Sequence, residues 1–247
     1  MEARQESPKV TVFESAEEVA RAAAERFVEL AQSATRERGR FAVALSGGST
    51  PKRTYELLAG DRFSRRVDWP QVHVFFGDER MVPPDDAESN YRMASEAMLS
   101  RLRVAPENVH RINGLGDAVA NARLYEDELR TFFNDAAWPS FDLVLLGMGD
   151  DGHTASLFPG TQALDEHDAW VAANWVLKLD AYRVTLTAPA INRAAHVIFL
   201  VTGANKAAPL REVLKGELDT RRLPSQLIRP LDGSLEWLVD RAAAEQL

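Results

Sequence analysis

The segment FDLVLLGMGDDGHTASLFPG, residues 141–160, contains a predicted central strand and the first candidate site of the chain. It begins with a continuous apolar run, residues 143–146, which predicts a strand covered on both faces, as in the centre of a parallel sheet packed between helices. The run stops at Gly147 and Gly149, where the absence of side chains lets the backbone turn sharply and lets a ligand approach it. Because ligands of open α/β sheets bind outside the carboxyl ends of the strands, we expect a ligand site at this turn.

Two acids and a histidine follow the turn, and they are the first candidates for chemistry. Histidine has an ordinary pKa of about 6.5, so it can accept and return a proton near neutral pH. We therefore predict that His153 transfers protons, that Asp151 orients it, and that Gly149 belongs to the same active site. Two alternatives stay open: the acids Asp150 and Asp151 cap a short helix over residues 153–157, or the histidine is an ordinary solvated loop residue.

A competing motif overlaps this turn. Gly147, Gly149 and Gly152 match the dinucleotide fingerprint G-x-G-x-x-G, and they do follow a predicted strand. The match is weak, because two carboxylates inside the loop would repel a pyrophosphate. Moreover, Pro159 leaves little room for the long helix whose N-terminus should bind it.

Composition excludes several classes of function. The 247 residues are 45% apolar, carry 29 basic against 37 acidic side chains, and contain no cysteine. A formal charge of -8 disfavours nucleic acids and anionic membranes as partners, and the missing cysteine excludes disulfides, thiolate metal sites and a cysteine nucleophile. Residues 1–6 are too charged for a signal peptide, and no apolar run is long enough to cross a bilayer, so we expect a cytoplasmic protein.

Strands and helices alternate along the rest of the chain. Strands are predicted at residues 10–13, 41–45, 72–76, 143–146, 170–176, 182–187 and 196–201, and residues 235–244 receive no assignment. Helices are predicted between them, the first over residues 16–36 with a capping box at Ser15 and Glu18. This alternation predicts an α/β fold: a Rossmann-like, mostly parallel sheet with helices on both faces. With no repeat or linker in the sequence, we expect a single domain over residues 1–247.

A second strand-to-helix turn is suited to phosphate. The predicted anion cradle consists of Ser46, Gly47, Gly48, Ser49 and Thr50. Free backbone N–H groups, three hydroxyls and the positive end of the next helix can converge on one anion there, and Pro51 suits the first helical position. The turn lacks the Gly-Lys-Ser/Thr ending of a nucleotide P-loop. An ordinary turn with a serine cap remains the alternative.

Charged residues also follow two other predicted strands. Asp78, Glu79 and Arg80 come directly after residues 72–76, and charges at such a place are costly unless they pair or function. The proline- and acid-rich loop over residues 81–90 is long enough to act as a lid. Lys206 stands at a predicted helix start, where it opposes the helix dipole, and an anionic ligand would explain it.

The motifs together resemble a known family. LSGGSTPKRTYELL, VFFGDERMVPPDDAESNYRMASEAML, FDLVLLGMGDDGHTASLFPG and HVIFLVTGANKAAPLREVL resemble, in this order, the 6-phosphogluconolactonases of the pentose phosphate pathway. That superfamily also includes the glucosamine-6-phosphate deaminases/isomerases. The resemblance implies hydrolysis of 6-phospho-D-glucono-1,5-lactone on a Rossmann-like fold, without a metal or an organic cofactor. The deaminases typically carry a glutamate where this chain has Phe158, and a tyrosine where it has Arg80, so both positions favour a lactonase.

Roles can then be assigned as expectations. His153 and Asp151 would form the acid–base pair, while Arg80 would stabilise charge on the substrate carbonyl oxygen or hold the phosphate. The 6-phosphate would bind in the cradle, with Lys206 and Arg183 supplying positive charge. A noncatalytic sugar-phosphate sensor, a deaminase and a dehydrogenase remain alternatives. The sequence leaves open the oligomeric state and the selectivity among phospholactones.

Overall fold

The computed structural model describes residues 9–247, within which nine strands form two sheets. The strands are β1 (Lys9–Phe13), β2 (Phe41–Leu45), β3 (Val72–Phe76), β4 (Asp78–Arg80), β5 (Leu143–Gly147), β6 (Val171–Val176), β7 (Ala181–Leu186), β8 (His196–Val201) and β9 (Ser234–Asp240). The helices are α1 (Ala16–Arg38), α2 (Ser49–Leu58), α3 (Asp61–Ser64), α4 (Asn90–Ala97), α5 (Ala118–Phe132), α6 (Ala188–Ile191) and α7 (Ala207–Lys215).

The larger sheet has six strands in the order β1-β9-β8-β5-β2-β3, and every pair is parallel. Strand β5, which belongs to the segment 141–160, lies inside this sheet between β2 and β8. Leu143, Val144, Leu145 and Leu146 are completely buried, as expected for a strand covered on both faces. The prediction of a mostly parallel α/β sheet with helices is confirmed.

Local sequence signals set the elements around this sheet. The strands predicted at residues 41–45, 72–76 and 196–201 have the predicted bounds. Helix α1 begins where the Ser15 hydroxyl accepts a hydrogen bond from the Glu18 N–H at 3.3 Å, and it ends at Gly39, whose φ of 72° suits glycine. The capping box is only half formed, because the Glu18 carboxylate accepts from the Glu14 N–H rather than from Ser15.

The smaller sheet corrects the sequence prediction. Strands β4, β7 and β6 form a separate antiparallel sheet, in that order, whereas the sequence predicts residues 170–176 and 182–187 as strands of one mostly parallel sheet and assigns no strand to residues 78–80. The chain leaves the parallel sheet at Gly77, whose N–H donates to Leu45 and whose carbonyl accepts from Leu186, each at 2.8 Å. Alternation of side chains identifies a strand but not the sheet that it joins, because pairing is a non-local choice.

The unassigned C-terminal residues contain the ninth strand. β9 lies between β1 and β8, and its Trp237 stacks on Phe199 with the ring centroids 3.8 Å apart. Within residues 9–247, no helix is both long and apolar enough to span a membrane. The single-domain expectation for residues 1–247 stays a prediction, because its first eight residues lie outside the described part.

Candidate active site

The candidate site lies where the strand order of the large sheet reverses direction. Strands β2 and β5 are neighbours, but the chain continues from β2 outward to β3 and from β5 in the opposite direction to β8. Loops that follow two such strands separate and leave a crevice at their carboxyl ends, which is the usual ligand position in this architecture. A pocket of about 280 Å³ opens at this place.

Most of the predicted site residues line this one pocket. They are Ser46, Gly47, Gly48, Ser49, Thr50, Asp78, Arg80, Gly149, His153 and Lys206. Asp151 and Arg183 are not among the lining residues. The pocket is also lined by Asn90, Met148, Ala155 and Thr202, which sequence reasoning had not singled out.

His153 and Asp151 form a direct pair. The imidazole Nδ1 lies 2.5 Å from Asp151 Oδ1, and the same oxygen accepts the His153 backbone N–H at 3.1 Å. A carboxylate at Nδ1 stabilises the tautomer that carries its proton on that nitrogen. Nε2 is then the nitrogen left to accept a proton from a ligand, so Asp151 acts from behind the imidazole rather than inside the pocket.

A tight turn holds the imidazole in place. The Gly149 N–H donates to the His153 carbonyl at 2.9 Å, the Gly152 N–H donates to the Gly149 carbonyl at 3.2 Å, and Gly152 has a φ of 74°. A Cβ on Gly149 would lie 2.1 Å from His153 Nδ1 and 2.7 Å from Asp151 Oδ1. The imidazole therefore packs directly against bare backbone, which explains why glycine stands there.

No helix follows this turn, which weakens two of the alternatives. The segment from Asp150 to Pro159 consists of turns and one isolated bridge between Thr154 and Leu157. Residues 153–157 form no helix for Asp150 and Asp151 to cap. A dinucleotide fingerprint also needs a helix N-terminus after the third glycine to bind the pyrophosphate, and Gly152 has none.

Two further side chains contact the acid–base pair. The Phe158 ring stacks on the His153 ring with centroids 4.1 Å apart and planes inclined by 24°. Lys178, from the connection between β6 and β7, forms an ion pair with Asp151 Oδ2. Burial alone would raise the pKa of the Asp151 carboxyl, but the hydrogen bonds from His153 and Lys178 outweigh it and hold that pKa well below its usual range. Asp151 is therefore ionised at neutral pH.

The anion cradle begins helix α2. Gly48 has a φ of 107° and precedes the first helical residue, Ser49, so the free N–H groups of the first turn face the pocket end of the helix. Pro51 occupies the third helical position rather than the expected first one. This correction costs little, because the first four N–H groups of a helix have no intrahelical partner. The Thr50 hydroxyl is already bonded to that of Thr202, 2.7 Å away.

Ser46 is the cradle residue with an unused polar group. Its backbone is fixed by the buried Tyr55 hydroxyl, which accepts from the Ser46 N–H at 3.1 Å and donates to the Ser46 carbonyl at 2.9 Å. Its side-chain Oγ is buried without a hydrogen-bond partner, one of two such side-chain atoms in the described residues 9–247. A buried hydroxyl normally has a partner, so a ligand in the pocket would satisfy it.

Asn90 joins the cradle to the charged residues after β3. Its side-chain amide donates to the Asp78 carbonyl at 2.9 Å and to the Asp78 carboxylate at 3.3 Å, and Ser156 Oγ donates to the same carboxylate at 2.7 Å. A Cβ on Gly47 would lie 2.1 Å from Asn90 Oδ1. Gly47 is thus required for this close packing, which brings Asp78 to the pocket.

Glu79 has a structural role. Its buried carboxylate accepts hydrogen bonds from the N–H groups of Asn90 and Tyr91 at 2.8 and 2.9 Å, and from Ser89 Oγ at 3.0 Å. Burial raises the pKa of Glu79, although these hydrogen bonds oppose the change. The acid therefore holds the start of α4, and with it Asn90, at the pocket.

Two of the three predicted cations, Arg80 and Lys206, line the pocket, and Arg183 does not. Arg80 lines it and also donates to the Glu88 carbonyl in the loop that was expected to act as a lid. Arg183 on β7 lies opposite Arg80 on β4 in the antiparallel register, and it is partly buried. Burial is the main cause that lowers the pKa of Arg183, and the neighbouring positive charge of Arg80 lowers it further. Lys206 ends a short 3₁₀ turn, Ala204–Lys206, directly before α7.

These features define a class of site. An imidazole backed by an ionised carboxylate, two pocket-lining cations and a helix N-terminus lie at one small cavity at the switch point of a parallel sheet. Such a site can bind a small anionic molecule and move a proton on it. Among residues 9–247, no cluster of three or more His, Cys, Asp or Glu side chains is placed to hold a metal ion.

Comparison with known proteins gives the family. Residues 14–237 match the model of the family described as glucosamine-6-phosphate isomerases/6-phosphogluconolactonase. A 6-phosphogluconolactonase from Nostoc sp. is 46% identical over 218 residues, which cover 87% of this chain and 88% of the relative. The structure of a 6-phosphogluconolactonase from Trypanosoma cruzi is 33% identical, has a TM-score of 0.87 and covers 99% of both chains. The chain therefore belongs to the glucosamine-6-phosphate isomerase/6-phosphogluconolactonase family.

The fold extends to the other activity in this family. A monomeric glucosamine-6-phosphate deaminase is similar in structure with a TM-score of 0.82, covering 97% of this chain and 100% of that one, at 21% identity. This likeness shows the shared fold alone. The choice between the two activities must come from the residues of the site.

Proposed function

We propose that this protein is a 6-phosphogluconolactonase, which hydrolyses 6-phospho-D-glucono-1,5-lactone to 6-phosphogluconate in the oxidative pentose phosphate pathway. One observation carries the proposal: the His153 imidazole and the cradle of residues 46–50 line the same pocket. A single hexose phosphate has an ester at one end and a phosphate at the other, and this pocket offers chemistry for both. The names of the similar proteins from Nostoc sp. and Trypanosoma cruzi support the same activity.

The phosphate end of the substrate is assigned to the cradle. Backbone N–H groups at the start of α2 and the unpartnered Ser46 hydroxyl would donate to the phosphate oxygens. Lys206 would add a charge-assisted hydrogen bond from the opposite loop. Arg183 contributes positive charge from beside Arg80. Together these groups provide the local basic environment that a chain of charge -8 needs to bind an anion.

The ester end is assigned to His153. Its Nε2 takes a proton from a water molecule while the water oxygen attacks the lactone carbonyl carbon, and the negative charge moves to the carbonyl oxygen. When this intermediate collapses, the bond from the carbonyl carbon to the ring oxygen breaks. The imidazolium returns its proton to the ring oxygen, and the new carboxylic acid ionises in solution. Asp151, bonded to Nδ1, stabilises the imidazolium while it exists.

Arg80 is assigned to the developing negative charge. It lines the pocket, and a guanidinium aimed at the carbonyl oxygen stabilises the transition state more than the neutral ester. Its hydrogen bond to the Glu88 carbonyl would fix its direction. A role at the phosphate remains the alternative for this residue.

The deaminase alternative is disfavoured by Phe158. The position that carries a glutamate in the resembling deaminases is here a buried phenyl ring stacked on the imidazole. A phenyl ring cannot exchange protons with an amino sugar. It does give the imidazole an apolar face that limits its rotation. A noncatalytic sensor would need the cradle but not the His153–Asp151 pair. A dehydrogenase would need a helix directly after Gly152 to bind the pyrophosphate, and the described structure has none there.

The substrate is a water-soluble sugar phosphate, and we propose that the protein acts on it in the cytoplasm. The test of function is a rapid lactonase assay corrected for spontaneous hydrolysis, run beside an assay for ammonia release from glucosamine 6-phosphate. We expect lactone hydrolysis well above the uncatalysed rate and no ammonia. Tight phosphosugar binding without turnover would support the sensor, and ammonia release would support the deaminase.

A further inference from the structure

Lys178 reaches the acid–base pair from the smaller sheet. It lies in a 3₁₀ turn, Leu177–Leu179, at the tip of the hairpin that joins β6 to β7. The turn closes with Asp180 in the left-handed region, at a φ of 47°. From this tip the ammonium group extends to Asp151 Oδ2, in a loop 27 positions earlier in the chain.

The ammonium and the imidazole share one carboxylate. Asp151 Oδ1 accepts from His153, and Oδ2 accepts from Lys178. Both partners also contact Phe158: its ring centroid lies 4.1 Å from that of His153 and 4.8 Å from Lys178 Nζ. The four side chains therefore form one contiguous group, with His153 as the member that lines the pocket.

This ion pair is poorly placed to stabilise the fold. The Lys178 side chain keeps 49% of its surface exposed, against 27% for Asp151. Exposed pairs of this kind typically contribute little to the free energy of unfolding. The charge of Lys178 nevertheless acts on the carboxylate directly behind the imidazole, where it offsets part of the negative charge that favours imidazolium.

We propose that Lys178 is a positioning residue for this reaction, holding the Asp151 carboxylate in place and offsetting its charge so that His153 works as a base at lower pH. The inference rests on the proposed lactonase function. Without the ammonium, Asp151 would present an uncompensated negative charge to His153. The imidazolium would then be more stable, and more of the enzyme would be inactive below neutral pH.

Other charged groups lie on the same loop as the imidazole or line the same pocket, and they stay constant in the comparison. Asp150 lies on the same loop, and Asp78, Arg80 and Lys206 line the pocket with His153. Only the difference between wild type and variants at position 178 reports on Lys178, because the other charges are common to both.

The experiment is the pH dependence of kcat/KM for wild type, Lys178→Met, Lys178→Gln and Lys178→Arg, with Lys215→Met as the control. Lys215 ends α7 and bonds the Leu247 carbonyl, outside the pocket lining. In Lys178→Met and Lys178→Gln we expect the acidic limb of the kcat/KM profile to move to higher pH by about 0.5–1 pH unit. This is the size of a water-screened Coulomb interaction over a few ångström. Lys178→Arg and Lys215→Met should keep the wild-type limb.

The outcomes separate this inference from the proposed function. An inactive wild type would refute the lactonase assignment. An active wild type whose acidic limb coincides with those of folded Lys178→Met and Lys178→Gln would overturn the role of Lys178 alone. NMR titration of the His153 ring gives a readout without turnover: its midpoint should rise by the same amount in both variants, and an unchanged midpoint refutes the proposal.

Discussion

Gly149→Ala is the substitution that tests most sharply how the imidazole is held. The added methyl group would lie 2.1 Å from His153 Nδ1, 2.3 Å from Cε1 and 2.7 Å from Asp151 Oδ1. Its clashes fall on the two side chains to which we assign the proton transfer. The substitution therefore perturbs the acid–base pair without removing any of its functional groups.

The size of the effect follows from these distances. Ordinary contacts with a Cβ begin near 3.4 Å, so the imidazole must move by more than about 1 Å, a displacement that can cost ~10²-fold in rate. We expect kcat/KM for the lactone to fall about 100-fold. The free energy of unfolding should fall by about 1–3 kcal/mol, as for other overpacked sites, which leaves the protein folded.

The assay is lactone hydrolysis corrected for the spontaneous rate, with stability followed by urea denaturation. Gly77→Ala is the matched control, because its Cβ would meet the Leu45 carbonyl oxygen at 3.4 Å, an ordinary contact. We expect this control to stay within about threefold of wild-type kcat/KM, since packing at ordinary distance needs no rearrangement. A folded Gly149→Ala enzyme with wild-type kcat/KM would refute the argument that the imidazole position limits the rate.

Two further predictions concern charge. Lys206→Ala should raise KM for the phosphorylated lactone about tenfold while kcat changes little, because it would remove the charge-assisted hydrogen bond that we assign to the non-reacting phosphate. An unchanged KM would argue against a phosphate contact. The pKa of Asp151 is lowered by folding, so its contribution to stability is complete above its unfolded-state pKa and is lost as the pH falls towards the folded-state value. Urea denaturation at about pH 7 and at about pH 3 gives the free energy of unfolding that each protein loses on acidification. We expect Asp151→Asn to lose about 1 kcal/mol less than wild type. Equal losses would contradict this account of Asp151.

Sequence patterns identified the parallel sheet because its signals are local. The apolar runs of β2, β3, β5 and β8 could each be recognised within five or six residues. The antiparallel sheet and β9 were missed because they depend on partners far away in the chain: β4 pairs with β7, and β9 with β1 at the opposite end. Which strands pair is decided by packing of the whole chain, which no local pattern contains.

The candidate site was likewise predictable only in part, where its residues follow a local pattern. The cradle and the His153 turn were predictable because each is a strand followed by glycines and polar side chains. Asn90 and Lys178 were not. Asn90 ends the loop expected to act as a lid, but nothing in that loop marks this residue as a contact of the pocket. Lys178 reaches the site from a hairpin tip whose sequence shows no functional signal. Phe158 was noticed only through the resemblance to the family, and its stacking on His153 appeared in the structure.

The most direct test of the account is His153→Asn in the corrected lactonase assay, with binding of 6-phosphogluconate measured in parallel. Asparagine is smaller than histidine and cannot take up a proton at neutral pH, whereas the cradle of residues 46–50 is unchanged. We expect kcat to fall by ~10²–10⁴-fold while the affinity for the phosphorylated ligand stays close to that of wild type. A folded variant that retains near-normal kcat would contradict the role of His153 as the base.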